Sequence, residues 1–287
     1  MEDALHALFR PIQANGRVVS QKYIEFKPSP ALMSFVSCYW ASEPSFHPDS
    51  ANNDGIDRVL PDGCTDILFE HDIKGNRYHI RYYGVFDRPF PIAYDDKRPV
   101  RKFGVRFFPG GAYPFMRTPV AEFTGRYCAL DAIWPNIAEE IGEKLFAQES
   151  MEEKVRIIEH YLLTIAQRNR PVDDPLMANL LYRIFVSEGK TGVCELAESE
   201  AVSARQINRK FEQWIGFSPK KFSEIVRFQA VVGDIRRRKK TDWRMLALDH
   251  GYFDQAHMIR DFKRFYGDSP LAAAKEFRDT SGFYNPI

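Results

Sequence analysis

A set of residues recurs at an offset of 51 positions in the last third of this 287-residue chain, and that recurrence narrows the possible folds more than any other feature. Arg209 and Phe211 return as Arg260 and Phe262, Gly216 returns as Gly267, and Ser218-Pro219 returns as Ser269-Pro270. Each copy reads as a short helix (about 193–199, then 242–250), a tight turn, and a second helix opened by a polar N-cap, Ser203 or Asp254, with the turns differing by one residue. Within the second helices Ile207, Phe211 and Trp214, and likewise Met258, Phe262 and Phe265, fall at i, i+4 and i+7, so one face is buried and the other is left to solvent. Glycine then stops each helix, and Ser-Pro opens the next.

A helix, a turn and a half-exposed second helix form the grammar of a helix-turn-helix, here written twice. The helix opening at Pro219 is expected to run to about Ile235, roughly 25 Å at the α-helical rise. Such a strut suits two reading heads that must enter successive major grooves about 34 Å apart. The outward face of the first second-helix carries Arg205, Asn208, Arg209 and Glu212, and the equivalent positions in the second copy are Ala256, Ile259, Arg260 and Lys263. Arginine can bond guanine twice, asparagine can do the same to adenine, and Ala256 or Ile259 can press on thymine methyls. The expected base readers are therefore Arg205, Asn208, Arg209, Ala256, Ile259 and Arg260. Gln206, Lys210, Gln255 and Lys263 lie toward the flanks, where phosphate contact is expected. Arg236, Arg237 and Arg238 open a basic run to Lys240 that either grips phosphate or is simply a solvated loop.

The strings SARQINRKFEQWIGFSPKKF and GYFDQAHMIRDFKRFYGDSP resemble the two halves of the AraC/XylS DNA-binding domain, and the resemblance covers about residues 180–278. It implies a seven-helix double helix-turn-helix that binds double-stranded DNA near promoters and activates or represses transcription, with RNA polymerase as a further partner. The segments PSPALMSFVSCYW, RVLPDGCTDILF and FGVRFFPGGAYPFM resemble an uncharacterised, cupin-like N-terminal domain found in one branch of these regulators. That resemblance implies sensing of a small-molecule effector or homodimer formation, and names no ligand.

The residues before the repeat support an α+β chain. From Tyr23 to Pro109 short β-rich runs alternate with turn residues, with strands expected near Phe35 to Trp40, Asp66 to Phe69, Tyr78 to Phe86 and Phe103 to Phe108. This spacing predicts an all-β barrel or sandwich. Apolar residues then recur at helical spacing, predicting amphipathic helices over 137–147 and 151–168 that pack on the barrel or pair with a second subunit. Pro171 and Pro175 punctuate a linker at 169–175. The expected division is a regulatory domain over 1–170 and a DNA-binding domain over 180–287.

Enzymatic readings find little support. His47, His71 and His79 make no H-x-H or H-E-x-x-H pattern, so neither a metal nor another cofactor is expected. Cys64 as a nucleophile would need a base or helix N-terminus to lower its pKa, and a buried inert thiol is the simpler reading. Asp62, Cys64 and Asp66 form a polar turn that is either a ligand lip or ordinary turn capping. Phe35, Tyr39, Trp40, Tyr82, Tyr83, Phe86, Phe103, Phe107 and Phe108 either line an apolar effector pocket or fill a core, the latter being usual for strand aromatics.

Charge distribution agrees with a polyanionic partner for the repeat. Residues 189–278 hold 18 Lys and Arg against 12 Asp and Glu, whereas residues 1–188 hold 22 against 26. Each neutralised phosphate releases condensed counterions, so a basic module favours nucleic acid. The four cysteines lack a C-x-x-C pair, no apolar run is long enough to span a bilayer, and the N-terminus has no signal-peptide pattern. Together these features predict a cytoplasmic protein with reduced thiols.

Overall fold

A computed structural model describes residues 5, 7–14, 21–44, 57–92, 99–169, 174–238 and 241–279. Its strands are β1 (Gln21–Phe26), β2 (Val36–Pro44), β3 (Arg58–Val59), β4 (Thr65–Asp72), β5 (Arg77–Tyr83), β6 (Phe90–Pro91), β7 (Val100–Phe107) and β8 (Tyr127–Ala129). A short helix α1 (Tyr113–Met116) and a 3-10 turn (Val120–Phe123) precede β8, and α2 (Ile137–Phe146) and α3 (Met151–Asn169) follow it. The remaining helices are α4 (Pro175–Val186), α5 (Val193–Ser199), α6 (Ala204–Trp214), α7 (Pro219–Arg237), α8 (Trp243–Asp249), α9 (Gln255–Tyr266) and α10 (Pro270–Asp279).

Six strands pair in the order β1-β2-β7-β4-β5-β8, all antiparallel, while β3 and β6 make a separate pair. Alternation along these strands sends Tyr39, Ile67, Phe69, Tyr82, Phe103, Val105 and Phe107 to one face, where they are buried. That face packs under Phe115 of α1, Ile141 and Leu145 of α2, and Ile158, Leu162 and Ile165 of α3. The period-2 strands and the period-3.6 helices thus bury complementary faces, as a two-layer α+β unit requires. A bulge between Val36 and Cys38 keeps Val36 and Tyr39 in the core while turning Cys38 toward Arg106 on the other face.

The expected barrel is corrected to an open sheet. Among the described residues β1 and β8 are its two edges and do not pair with each other. Closure would require that pairing. The helices α1–α3 cover the apolar face instead, so its burial needs no second sheet. Of the expected aromatics, Tyr39, Tyr82, Phe103 and Phe107 fill this core with Phe35 against it, and Phe108 joins the second core described next. Phe86 packs on Phe90 with ring centroids 4.8 Å apart. Trp40 and Tyr83 lie on the opposite face of the sheet, by strand register.

The second core gathers Leu180, Ile184 and Phe185 of α4 with the apolar faces of α6, α7, α8 and α9. It also takes in Leu5, Phe9, Leu60, Val85, Phe108, Tyr113 and Val120, which precede α4 by 50 residues or more. Phe9 stacks on Phe185 at 4.6 Å, and Phe108 meets the same ring edge-on at 5.6 Å. Helix α4, with Asp174 as N-cap and Pro175 in its first turn, begins at the end of the expected linker. Sequence punctuation predicts a linker over 169–175 and does not predict the helix that opens at its end.

Candidate nucleic-acid interface

Each helix-turn-helix is closed by local chemistry. Ser203 accepts from Gln206 N, and Gln206 Oε1 accepts from Ser203 N at 2.9 Å, a complete capping box at the start of α6. Asp254 Oδ1 accepts from His257 N at 2.7 Å and caps α9 without the reciprocal bond. Gly216 and Gly267 end the two helices with φ of +86° and +88°, a left-handed conformation that glycine adopts without side-chain strain. Ser218 caps α7, whose 19 residues make a strut of about 28 Å.

The buried stripes match the sequence expectation. Ile207, Phe211 and Trp214 in α6, and Met258, Phe262 and Phe265 in α9, are all buried. On the outward faces Arg205, Arg209 and Glu212, then Ala256, Arg260 and Lys263, are exposed. Among the described residues, no ion pair or hydrogen bond engages the side chains of Arg205, Arg209, Arg260 or Lys263. Unpaired, exposed guanidinium groups on a capped helix can meet a base edge without first breaking a bond inside the protein.

Other expected contact residues are differently placed. Asn208 Nδ2 donates to Ala204 O at 2.8 Å, back onto its own helix. Ile259 is half-buried and packs against the core. Gln206 uses its side-chain carbonyl in the cap, leaving Nε2 as its route to a phosphate. Lys210 is paired with Asp174 at the head of α4. Gln255 is exposed at the first position of α9. Arg237 pairs with Asp234, as does Arg238 at 2.8 Å, while Arg236 is half-buried. Burial would raise the Asp234 pKa, but the bond from Arg237 and the charges of Arg238 and His250 hold it below the usual carboxylate value. Lys239 and Lys240 lie outside the described residues.

One exposed side chain at this surface carried no expectation. Phe253, directly before the N-cap of α9, is 88% exposed. A residue at that position often staples to the fourth residue of the helix, here Met258, which is itself fully buried. The available signal was an aromatic in a turn otherwise built from Gly, Tyr and Asp.

The helix-turn-helix units are also bound to the sheet domain. Thr124 Oγ1 donates to Gly216 O at 2.8 Å, and the Tyr113 ring lies 4.9 Å from that of Trp214. Gln229 of α7 accepts from Ile12 N and donates to Pro61 O, both at 2.8 Å. Arg58 donates to Tyr266 O at 3.1 Å and pairs with Glu276 at 3.3 Å. These partners lie about 90 to 220 positions apart in sequence, so no local pattern announces them.

Residues 196–276 match the model of a helix-turn-helix domain of the AraC type, and residues 24–129 match that of a domain of unknown function, DUF6597. The C-terminal part of the chain is an AraC-type helix-turn-helix domain. Among solved structures, an AraC-type transcriptional regulator from Chromobacterium violaceum is 18% identical to this chain. That match covers 36% of this chain and 92% of the other, with a TM-score of 0.33. ToxT from Vibrio cholerae O395 is 8% identical over 91% of this chain and 99% of its own, with a TM-score of 0.41. The fatty-acid-bound ToxT of strain SCE256 is 9% identical over 91% and 96%, with a TM-score of 0.39. A comparison with curated proteins gives no match. Within the AraC-type domain, α5–α6 and α8–α9 are the two helix-turn-helix units and α7 joins them.

Among the described residues no helix is long and apolar enough to cross a membrane. None of them form a group of three or more potential metal ligands, and His47 lies outside them. Burial, reinforced by the charge of Asp62, pushes the Cys64 thiol well above its usual pKa, which opposes a nucleophilic role.

Proposed function

We propose that this protein is a sequence-specific, DNA-binding transcription regulator whose helices α6 and α9 read two adjacent major grooves. The observation that carries this reading is the pair Arg209 and Arg260, equivalent in the repeat, both exposed and both without an intramolecular ionic partner among the described residues. Arg205, Asn208, Ala256 and Ile259 complete the base-facing set. Gln206, Gln255, Lys263 and Arg236–Arg238 supply phosphate contacts, with Lys210 exchanging Asp174 for a phosphate on binding. Residues 1–170 act as the regulatory domain and 180–287 as the reader, with α4 as the shared element. Effector sensing, homodimer formation and contact with RNA polymerase belong to the same proposal, as does a cytoplasmic location.

Selection of bound duplexes from a randomised library by the full chain tests the proposal. The expected result is a site with two contact blocks about one helical turn apart. Arg209→Ala and Arg260→Ala should each lose about 1–3 kcal/mol toward the preferred base and relax selection at that position alone. An unchanged site preference in both variants would overturn the assignment. Lys210→Ala should instead weaken all sequences evenly and lower the salt slope by about one. A loss confined to one base pair would reassign Lys210 as a base reader.

A further inference from the structure

The two helix-turn-helix copies differ by one residue in the turn, and the structure shows which residue it is. Their first helices, α5 (Val193–Ser199) and α8 (Trp243–Asp249), stand 50 positions apart, whereas the second helices, α6 and α9, open 51 apart at Ala204 and Gln255. Backbone bonds keep the first spacing as far as Val202 and Tyr252. Val202 N donates to Ala197 O at 3.0 Å and Tyr252 N donates to Ala247 O at 2.9 Å, each just after a residue with positive φ, Ala201 at +52° and Gly251 at +70°. From the N-caps Ser203 and Asp254 onward the second spacing holds. The extra residue is therefore Phe253.

The turn itself does not require a ring at this position. Val202 is half-buried against the core and Tyr252, its equivalent, is buried, so each copy already has the apolar residue that ties its turn down. Phe253 follows Tyr252 with 88% of its surface exposed. A lone exposed apolar residue is ordinary on a protein surface, but the position of this one is not. It directly precedes the N-cap of α9, at the end that a helix lying in a major groove presents to base edges. Gln255 and Ala256, next along the chain, are exposed as well. The inserted ring adds a flat apolar surface beside groups that offer hydrogen bonds and positive charge.

We propose that Phe253 is a specificity-determining residue of the second helix-turn-helix, its ring packing on the 5-methyl group of a thymine at the edge of the block contacted by α9. This rests on the proposed reading of DNA by α6 and α9, and deepens it. In the major groove the thymine methyl is the apolar group that a phenylalanine can recognise. Folding leaves the ring in water, so its burial is realised only on binding and contributes to affinity for DNA rather than to stability. The surroundings favour nucleic acid over a protein partner, because α9 exposes Arg260 and Lys263 and its positive N-terminal end lies next to the ring. The first copy lacks the inserted residue and has no counterpart to this contact, so the two blocks of a site are read by unequal sets of side chains.

The test compares the full chain with its Phe253→Ala variant on duplexes drawn from the library selection. The ring lies outside the core, so the variant is expected to fold with unchanged stability. Each thymine of the second block is replaced in turn by deoxyuracil, which lacks only the methyl. One such replacement is expected to weaken the wild-type chain about fourfold, the value for one buried methyl, and to have no further effect on Phe253→Ala. Leu248→Ala, which truncates an exposed side chain of α8, should keep the thymine preference. A selected site with no methyl-sensitive thymine in that block, a methyl effect of equal size in Phe253→Ala, or an even loss over all sequences in that variant would overturn the assignment. So would unchanged DNA binding by Phe253→Ala with a lower sedimentation mass, which would give the ring to a contact between two copies of the chain. If the wild-type chain itself selects no site, the failure is that of the DNA-reading proposal, it shows with Phe253 intact, and this assignment falls with it.

Discussion

Phe228→Ala is expected to lower the unfolding free energy by about 3–5 kcal/mol, the range for truncating a fully buried aromatic ring. Phe228 is completely buried in the middle of α7, with its ring 5.4 Å from Phe262 and 5.3 Å from Phe265 of α9. Removing it deletes contacts on both sides of the joint between the strut and the second head, and leaves a cavity that the helices can close only by shifting. Denaturant unfolding of the full chain measures the loss. A cost below about 1 kcal/mol would mean that the joint collapses freely and that α7 does not hold the second head at a set distance. The same variant should weaken binding to a two-block DNA site more than to a single block, since its defect lies between the heads.

Gly189→Ala is expected to cost about 2–5 kcal/mol, combining roughly 1–2 for an alanine in the left-handed region with roughly 1–3 for overpacking. Gly189 ends the turn after α4 with φ of +75°, and a Cβ there would stand 2.1 Å from Ser223 O and 3.0 Å from Arg227 N. Both obstacles are backbone atoms of α7, so no side chain can rotate away. Gly125 provides the control. Its φ is +71° and nothing lies within 4 Å of its ideal Cβ, so Gly125→Ala should lose only about 1–2 kcal/mol. Equal losses in the two variants, measured by the same unfolding experiment, would show that backbone conformation alone matters and that the contact between the α4 turn and α7 is loose.

The helical half was legible because its signals are local. Ser203, Asp254, Ser218 and Gly267 do their work within four residues of their own positions, so the caps and stops foreseen at these sites appear in the structure. The helices expected over 193–199 and from Pro219 onward appear as Val193–Ser199 and Pro219–Arg237. Strands β2, β4, β5 and β7 were foreseen from β-branched and aromatic runs, whereas β8, three residues long, is too short for a period-2 pattern to register. Helix α4 was hidden by Pro171 and Pro175, because proline near a helix start resembles proline in a linker until Met177, Leu180, Leu181 and Ile184 are seen packed together. The barrel expectation failed for a different reason. Strand alternation reports that one face is buried, and says nothing of whether helices or another sheet bury it.

The sequence by itself determined the duplicated helix-turn-helix, the buried stripes of its second helices and the side chains left outward on them, since each follows from spacing within a few turns of chain. Only the tertiary structure decided which of those outward side chains are already occupied, as Lys210 is by Asp174 and Asn208 by its own helix. It alone joined Phe9, Phe108 and Tyr113 to the core of the helix-turn-helix region, and gathered Glu25, Trp40, Asp66 and Arg106 on one face of the sheet. Those groupings come from strand order and helix docking across as many as two hundred residues, and the free energy that selects them lies in contacts that a linear pattern does not contain.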